Sequence, residues 1–188
     1  MKHLIACLML ATLPAWAAGV DASPSATPTA QQLEQGLTGR WTGALEYRDY
    51  QSGQRFLLPM EVQVQLGADG ATLTRVARFD DGPQTGAVYI TTVSLFDKTG
   101  QRVASASFRK GRDVEAISED ARVLDYTDAQ HWVVVYQRRG QDGNHAADIR
   151  ITQTRQGPSL VAVKEVKRPE QPDSDYLFRN QTTLVLQQ

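Results

Sequence analysis

The chain has 188 residues, with 20 Lys and Arg against 21 Asp and Glu, three His and one Cys. This balance gives no electrostatic footprint for nucleic acid or for anionic lipid. A single cysteine excludes an internal disulfide framework.

The first residues read as an export signal. Lys2 precedes a short apolar run, Leu4 to Leu13, which is too short to cross a bilayer as a helix. Pro14 and then Ala15-Trp16-Ala17 fit the small-x-small cleavage pattern. The expected cut follows Ala17 (signal peptide 1–17) and makes the mature protein periplasmic or secreted. Leu4-Ile5-Ala6-Cys7 looks like a lipoprotein box, but no apolar segment lies upstream of it, so Cys7 reads as apolar filler inside the signal. Past the cut no cysteine remains, and 19 basic residues face 21 acidic ones. Residues 18–37 read as a flexible tether, because 18–31 hold almost no large apolar side chain to offset ordering entropy. Gln32 to Gly36 is expected to add one helical turn, ended by the glycine. Residues 38–188 then form one domain, long enough to bury a core without covalent staples.

From there the text alternates strand and turn. Met60 to Leu66 (MEVQVQL) is an unbroken apolar/polar alternation, the period of a strand with one dry and one wet face. In 41–50, Trp41, Gly43, Leu45 and Tyr47 share a face, and Thr42, Ala44, Glu46 and Arg48 share the other. Strands are expected over 41–50, 55–66, 71–79, 88–96, 102–108, 114–124, 131–138, 148–155, 159–167 and 176–186. Gly and Asp-Gly turns fall between them at Ser52-Gly53, Asp69-Gly70, Asp81-Gly82, Lys98 to Gly100, Lys110-Gly111, Asp142-Gly143 and Gly157-Pro158. The fold class predicted is all-β, an antiparallel up-and-down barrel of about 8–10 strands.

Gly39-Arg40-Trp41, at the start of the first strand, resembles the Gly-x-Trp signature of the calycin superfamily, which includes lipocalins and fatty-acid-binding proteins. The resemblance implies a lipocalin-like barrel with Trp41 lying across one end as a plug. It also implies a basic residue of the last strand over the indole, for which Arg179 in "YLFRNQTTLVL" is the candidate and Arg168 the second. The likeness is to the broad class of uncharacterised bacterial exported proteins with lipocalin-like barrels, which have no common activity. The chain departs from lipocalins in its strand count, nearer ten than eight, and in lacking the helix that follows their barrel.

The sequence carries little that points to catalysis, and the protein is expected not to be an enzyme. His131 and His145 lie apart, with no cysteine beside them to complete a metal site. No nucleophile elbow is present, and neither is a phosphate-cradling glycine loop or dinucleotide fingerprint. The carboxylate pairs Asp80-Asp81 and Glu119-Asp120 read as turn and surface residues. No cofactor or metal is expected. Tyr47, Arg75, Tyr89, Trp132 and Tyr136 are the candidate ligand-binding residues, because alternation can turn them into the lumen. Arg75 is the notable one, since a guanidinium among Leu73, Ala77 and Phe79 needs a partner and can receive a ligand carboxylate. The expected function is a non-enzymatic barrel binding a small apolar or amphipathic molecule. The alternative is an envelope interaction or scaffold protein using the barrel exterior or rim. A membrane-spanning barrel fits poorly, given the polar mean hydropathy and an end, "LVLQQ", without a terminal aromatic.

Overall fold

The computed structural model describes residues 27–48, 53–143, 145–170 and 174–188. The expected signal peptide and most of the tether lie outside them. Ten antiparallel strands follow one another around a closed barrel: β1 (Gly39–Arg48), β2 (Arg55–Leu66), β3 (Leu73–Asp80), β4 (Ala87–Phe96), β5 (Arg102–Arg109), β6 (Glu115–Asp128), β7 (His131–Asp142), β8 (His145–Gln156), β9 (Ser159–Lys167) and β10 (Leu177–Leu186). Each strand pairs with its sequence neighbours, and β1 pairs with β10 to close the ring. The up-and-down barrel predicted from alternation is therefore the fold, with ten strands. Closure leaves no unpaired edge that would template association. Most boundaries moved by a residue or a few. β6 and β7 each run four residues further than expected; in β6, register shifts at Val123/Asp125 and Tyr126/Asp128 keep the pairing alive through a stretch with little alternation.

Alternation sets inside and outside as expected. In β2, Met60, Val62 and Val64 are buried, while Glu61, Gln63 and Gln65 are exposed. The outer face of this strand is thus polar, the reverse of a lipid-facing strand. Among the described residues no helix is long and apolar enough to cross a membrane.

Among the described residues, two short helices accompany the barrel. A one-turn helix, Gly82–Thr85, occupies the expected turn between β3 and β4; it is α2 in chain order. The other, α1 (Ala30–Gln35), begins earlier than the single turn expected at 32–36. Thr29 is its N-cap, and Thr29 and Gln32 form a reciprocal capping box. Gly36 ends it. The stretch expected as the last part of a tether is therefore folded: Ala30, Leu33 and Leu37 are buried in the main core. A six-residue helix is marginal alone, so this packing is what stabilises it. At this end of the barrel lie α1, the start of β1, the end of β10, and the β2–β3, β4–β5, β6–β7 and β8–β9 connections. It is called the closed end below.

Candidate functional site

The closed end is built on Trp41, 1% exposed. It faces the lumen on β1, opposite Val62 of β2 and Leu186 of β10. Its indole Nε1 donates to the Leu37 carbonyl at 2.8 Å. The indole plug expected from the Gly-x-Trp pattern is thus in place, and it fastens the α1–β1 connection as well. Gly39 sits at φ +142°, a conformation that a side chain would strain.

The cation over this ring is not the expected one. Arg155 of β8 places its guanidinium carbon 5.6 Å from the Trp41 ring centroid. Its Nη1 donates to the Gly36 carbonyl at 2.8 Å and its Nε to the Gly157 carbonyl at 3.3 Å. Burial pushes its pKa down, yet a guanidinium stays charged at neutral pH. Arg179 lies at the opposite end. Because β10 runs antiparallel to β1, Trp41 pairs with Leu186. Arg179 is seven residues back along the strand, about 23 Å away at ~3.3 Å per residue. There its Nη2 pairs with Asp142 at 2.6 Å. Arg168, beyond the end of β9, is likewise at the open end, beside Arg179 in a mouth chamber of about 390 Å³.

Above the plug is a lumen cavity of about 300 Å³. Of the five candidate ligand-binding residues, Arg75 and Tyr136 line it. Trp132 is buried in the main core and its Nε1 donates to the Ala129 carbonyl; it is not part of the cavity wall. Tyr47 is 38% exposed and stacks on Phe56 with centroids 5.6 Å apart, next to the β1–β2 connection at the open rim. Tyr89 is corrected to the outside. Ala77 pairs with Ile90 on the inner face, so the neighbouring Arg78–Tyr89 pair points outward, and Tyr89 is 55% exposed. β4 carries apolar side chains on both faces, so its own pattern does not fix which is inner.

The cavity wall is chemically divided. Val64, Leu73, Phe96, Val103, Ile117 and Ile151 give an apolar lining. On the β4–β5 wall, Thr92 and Ser107 hydroxyls lie 2.9 Å apart, and Ser94 and Ser105 hydroxyls 2.8 Å apart. These cross-strand pairs form a block of four hydroxyls beside Arg75, which is opposite Thr92 in the register. Two acids complete the wall, Glu119 buried and Glu34 nearly so. Glu119 of β6 accepts from Arg138 Nε of β7 at 3.1 Å. Burial pushes the Glu119 carboxyl above its ordinary range, although Arg138 and then Lys164 pull the other way. The second acid is Glu34, which enters from α1. It accepts from Tyr136 Oη at 2.7 Å and from Gln153 Nε2, and it pairs with Arg75 at 3.5 Å. Burial, and then the Glu34 charge, push the Tyr136 phenol well above its ordinary value, so it keeps its proton and donates.

Glu119, expected with Asp120 to be a turn or surface carboxylate, is instead buried on the inner face of β6, opposite Val103; Glu34, Gln153, Arg138 and the hydroxyl block were not candidate site residues in the sequence. Period two in "VASASF" and "ITTVSLF" does put Ser105, Ser107, Thr92 and Ser94 on single faces. That was the available signal. His131 pairs with Asp128 at 2.9 Å in the exposed β6–β7 turn. Among the described residues no group of three or more His, Cys, Asp or Glu is placed to hold a metal.

No protein-family model matches the sequence, and no curated protein matches it. Among solved structures, the chain is similar to Rv2717c from M. tuberculosis, seen in a crystal structure, with a TM-score of 0.58 and 13% identity over 86% of this chain and 99% of that one. At this identity the likeness carries the barrel fold alone. The narrower lipocalin or fatty-acid-binding assignment does not follow from it.

Proposed function

We propose that the protein is an exported, non-enzymatic barrel that binds a small amphipathic molecule in its lumen. The observation that carries this reading is the cavity of about 300 Å³ inside a closed sheet, with an apolar lining and a compact polar block. Its volume is at the lower end of the range for small-molecule sites. A few convergent polar groups on an otherwise apolar wall fix a ligand's orientation. The plugged end leaves the opposite mouth, between Tyr47, Phe56 and Arg179, as the route of entry. The export signal supports a periplasmic or secreted location.

Native mass spectrometry of the chain purified from its own compartment tests this directly. A stoichiometric small-molecule adduct is expected, and it should disappear in Ser105→Leu, which fills the lumen without touching the plug. A clean unliganded mass, together with no small-molecule binding that Ser105→Leu removes, overturns the reading.

A second reading has its own observation. Tyr89 and Leu95 of β4 and Phe108 of β5 lie exposed on adjacent strands, on the outer face. Such a patch supports the scaffold alternative, in which another envelope protein docks there. Capture from envelope extracts should then yield a reproducible partner that Leu95→Lys loses; background proteins alone count against it.

A further inference from the structure

Resting on the lumen reading, a sharper inference concerns what the cavity recognises. Glu34 is attached to the barrel only through the six-residue α1 and the Gly36–Thr38 link. Its side chain is nevertheless 12% exposed, and it reaches side chains from three strands: Arg75 on β3, Tyr136 on β7 and Gln153 on β8. All three are donors. A phenol that keeps its proton, an amide and a guanidinium converging on one carboxylate make a charge-assisted set. No apolar or neutral-acceptor ligand would need such a set. All four residues also line the cavity, so the carboxylate ends where the open volume begins.

We propose that Arg75, Tyr136 and Gln153 form a receptor for one carboxylate, occupied by Glu34 as an internal surrogate, and that the lumen ligand is a monocarboxylic acid whose head exchanges with Glu34. The apolar wall from Val103 to Ile117 and Ile151 takes its short chain. Exchange is feasible because the receptor groups belong to the barrel while the surrogate belongs to the terminal helix. The tethered Glu34 competes at high effective concentration, so the intact chain holds its acid less tightly than a chain that lacks this carboxylate. The α1 segment is held by Leu33, Leu37 and the Trp41 bond as well. Release of Glu34 therefore requires only a side-chain withdrawal and leaves the plug intact.

The test uses the full chain and chemical rescue. Glu34→Ala leaves the buried Tyr136 and Gln153 and the half-buried Arg75 without this acceptor and should lower Tm by about 5 °C. Formate or acetate should restore at least half of that loss. Acetamide, or chloride at matched ionic strength, should restore none of it. Adding Arg75→Met should remove the rescue. In parallel, octanoate should bind Glu34→Ala at least tenfold more tightly than the intact chain, whereas octanol should bind both alike. Glu34→Gln keeps the side-chain size and serves as the second variant: it removes the competing charge and should also bind octanoate more tightly than the intact chain. No carboxylate-specific rescue, or equal octanoate affinity in the intact chain and Glu34→Gln, overturns the proposal. Octanol separates the two readings. If octanol binds in the lumen and the carboxylate effects are missing, the cavity reading stands and the acid receptor falls. If neither octanol nor octanoate binds, both fall.

Discussion

The two ends of the barrel are built on different principles. At the closed end, α1, Leu37, Trp41, Trp132, Val134 and Leu184 merge into the main core, and backbone carbonyls of the connections are bonded by Trp41 and Arg155. At the open end, Phe56, Leu57 and Leu177 remain exposed. Among the described residues, buried apolar side chains there form a small separate cluster of Ala147, Ile149 and Val166. The same alternating strands run through both ends, so alternation is not the cause of the difference. A single large residue at the start of β1 and a short terminal helix convert one mouth into a core. The other mouth is left as a rim with aromatics and ion pairs, where a molecule can enter.

The largest expected effect breaks this asymmetry. Trp41→Ala empties the plug and orphans the Leu37 carbonyl, and should cost about 3–5 kcal/mol by urea unfolding. Tyr47→Ala, at the other end of the same strand, removes an exposed stack on Phe56 and should cost about 1 kcal/mol or less. Equal losses would mean that the two ends are energetically alike and that the cork is not one.

Arg155 sharpens the comparison. Arg155→Met keeps much of the packing against Trp41 but removes the donors to Gly36 and the cation over the ring. A loss of about 1–2 kcal/mol is expected. The effect should shrink when measured in a Trp41→Phe background, since the guanidinium and the indole act together. Additive losses in that double-mutant cycle would show that Arg155 works only through the backbone.

How much of this was legible in the sequence follows from what each feature depends on. Strand positions and the inner face of β2 depend on local period, and they were legible. The plug depends on a two-residue spacing at a strand start, and it too was legible. Its cation depends on register around a ten-strand ring. The last strand offers Arg179, whose distance from Trp41 is set by the antiparallel pairing with Leu186, while the residue that arrives is three strands away in the ring, on β8. Tyr89 failed for a related reason: parity within a strand is visible, but which parity faces inward is decided by neighbours. Glu34 was illegible because a helix of under two turns has no period to read, and an acid beside Gln residues has the composition of a solvated link. Its burial is a purely tertiary fact, created by donors more than forty residues away in sequence.

The smallest expected effect lies in a connection at the closed end and depends on pH. Asp69, between β2 and β3, accepts from the Thr72 hydroxyl at 2.6 Å and from the amides of Ala71 and Thr72. The Thr72 hydroxyl first, then these amides, hold its carboxyl down at about 2. A carboxyl depressed in the folded state stabilises that state above its unfolded pKa, near ~3.9. The contribution is lost as pH falls through the folded value. Asp69→Ala should therefore lower Tm at pH 7, and the gap to the unmodified chain should narrow between about pH 4 and pH 2. Gln35 of α1 donates to the Gly70 carbonyl of this same turn at 3.0 Å, so the turn also helps to seat the helix that carries Glu34. Loosening it should raise octanoate affinity slightly while leaving octanol binding unchanged, a far weaker version of the change expected from Glu34→Gln. A Tm gap that stays constant down to pH 2 would mean that the charge of Asp69 contributes nothing to the closed end, and that its turn is held by backbone geometry alone.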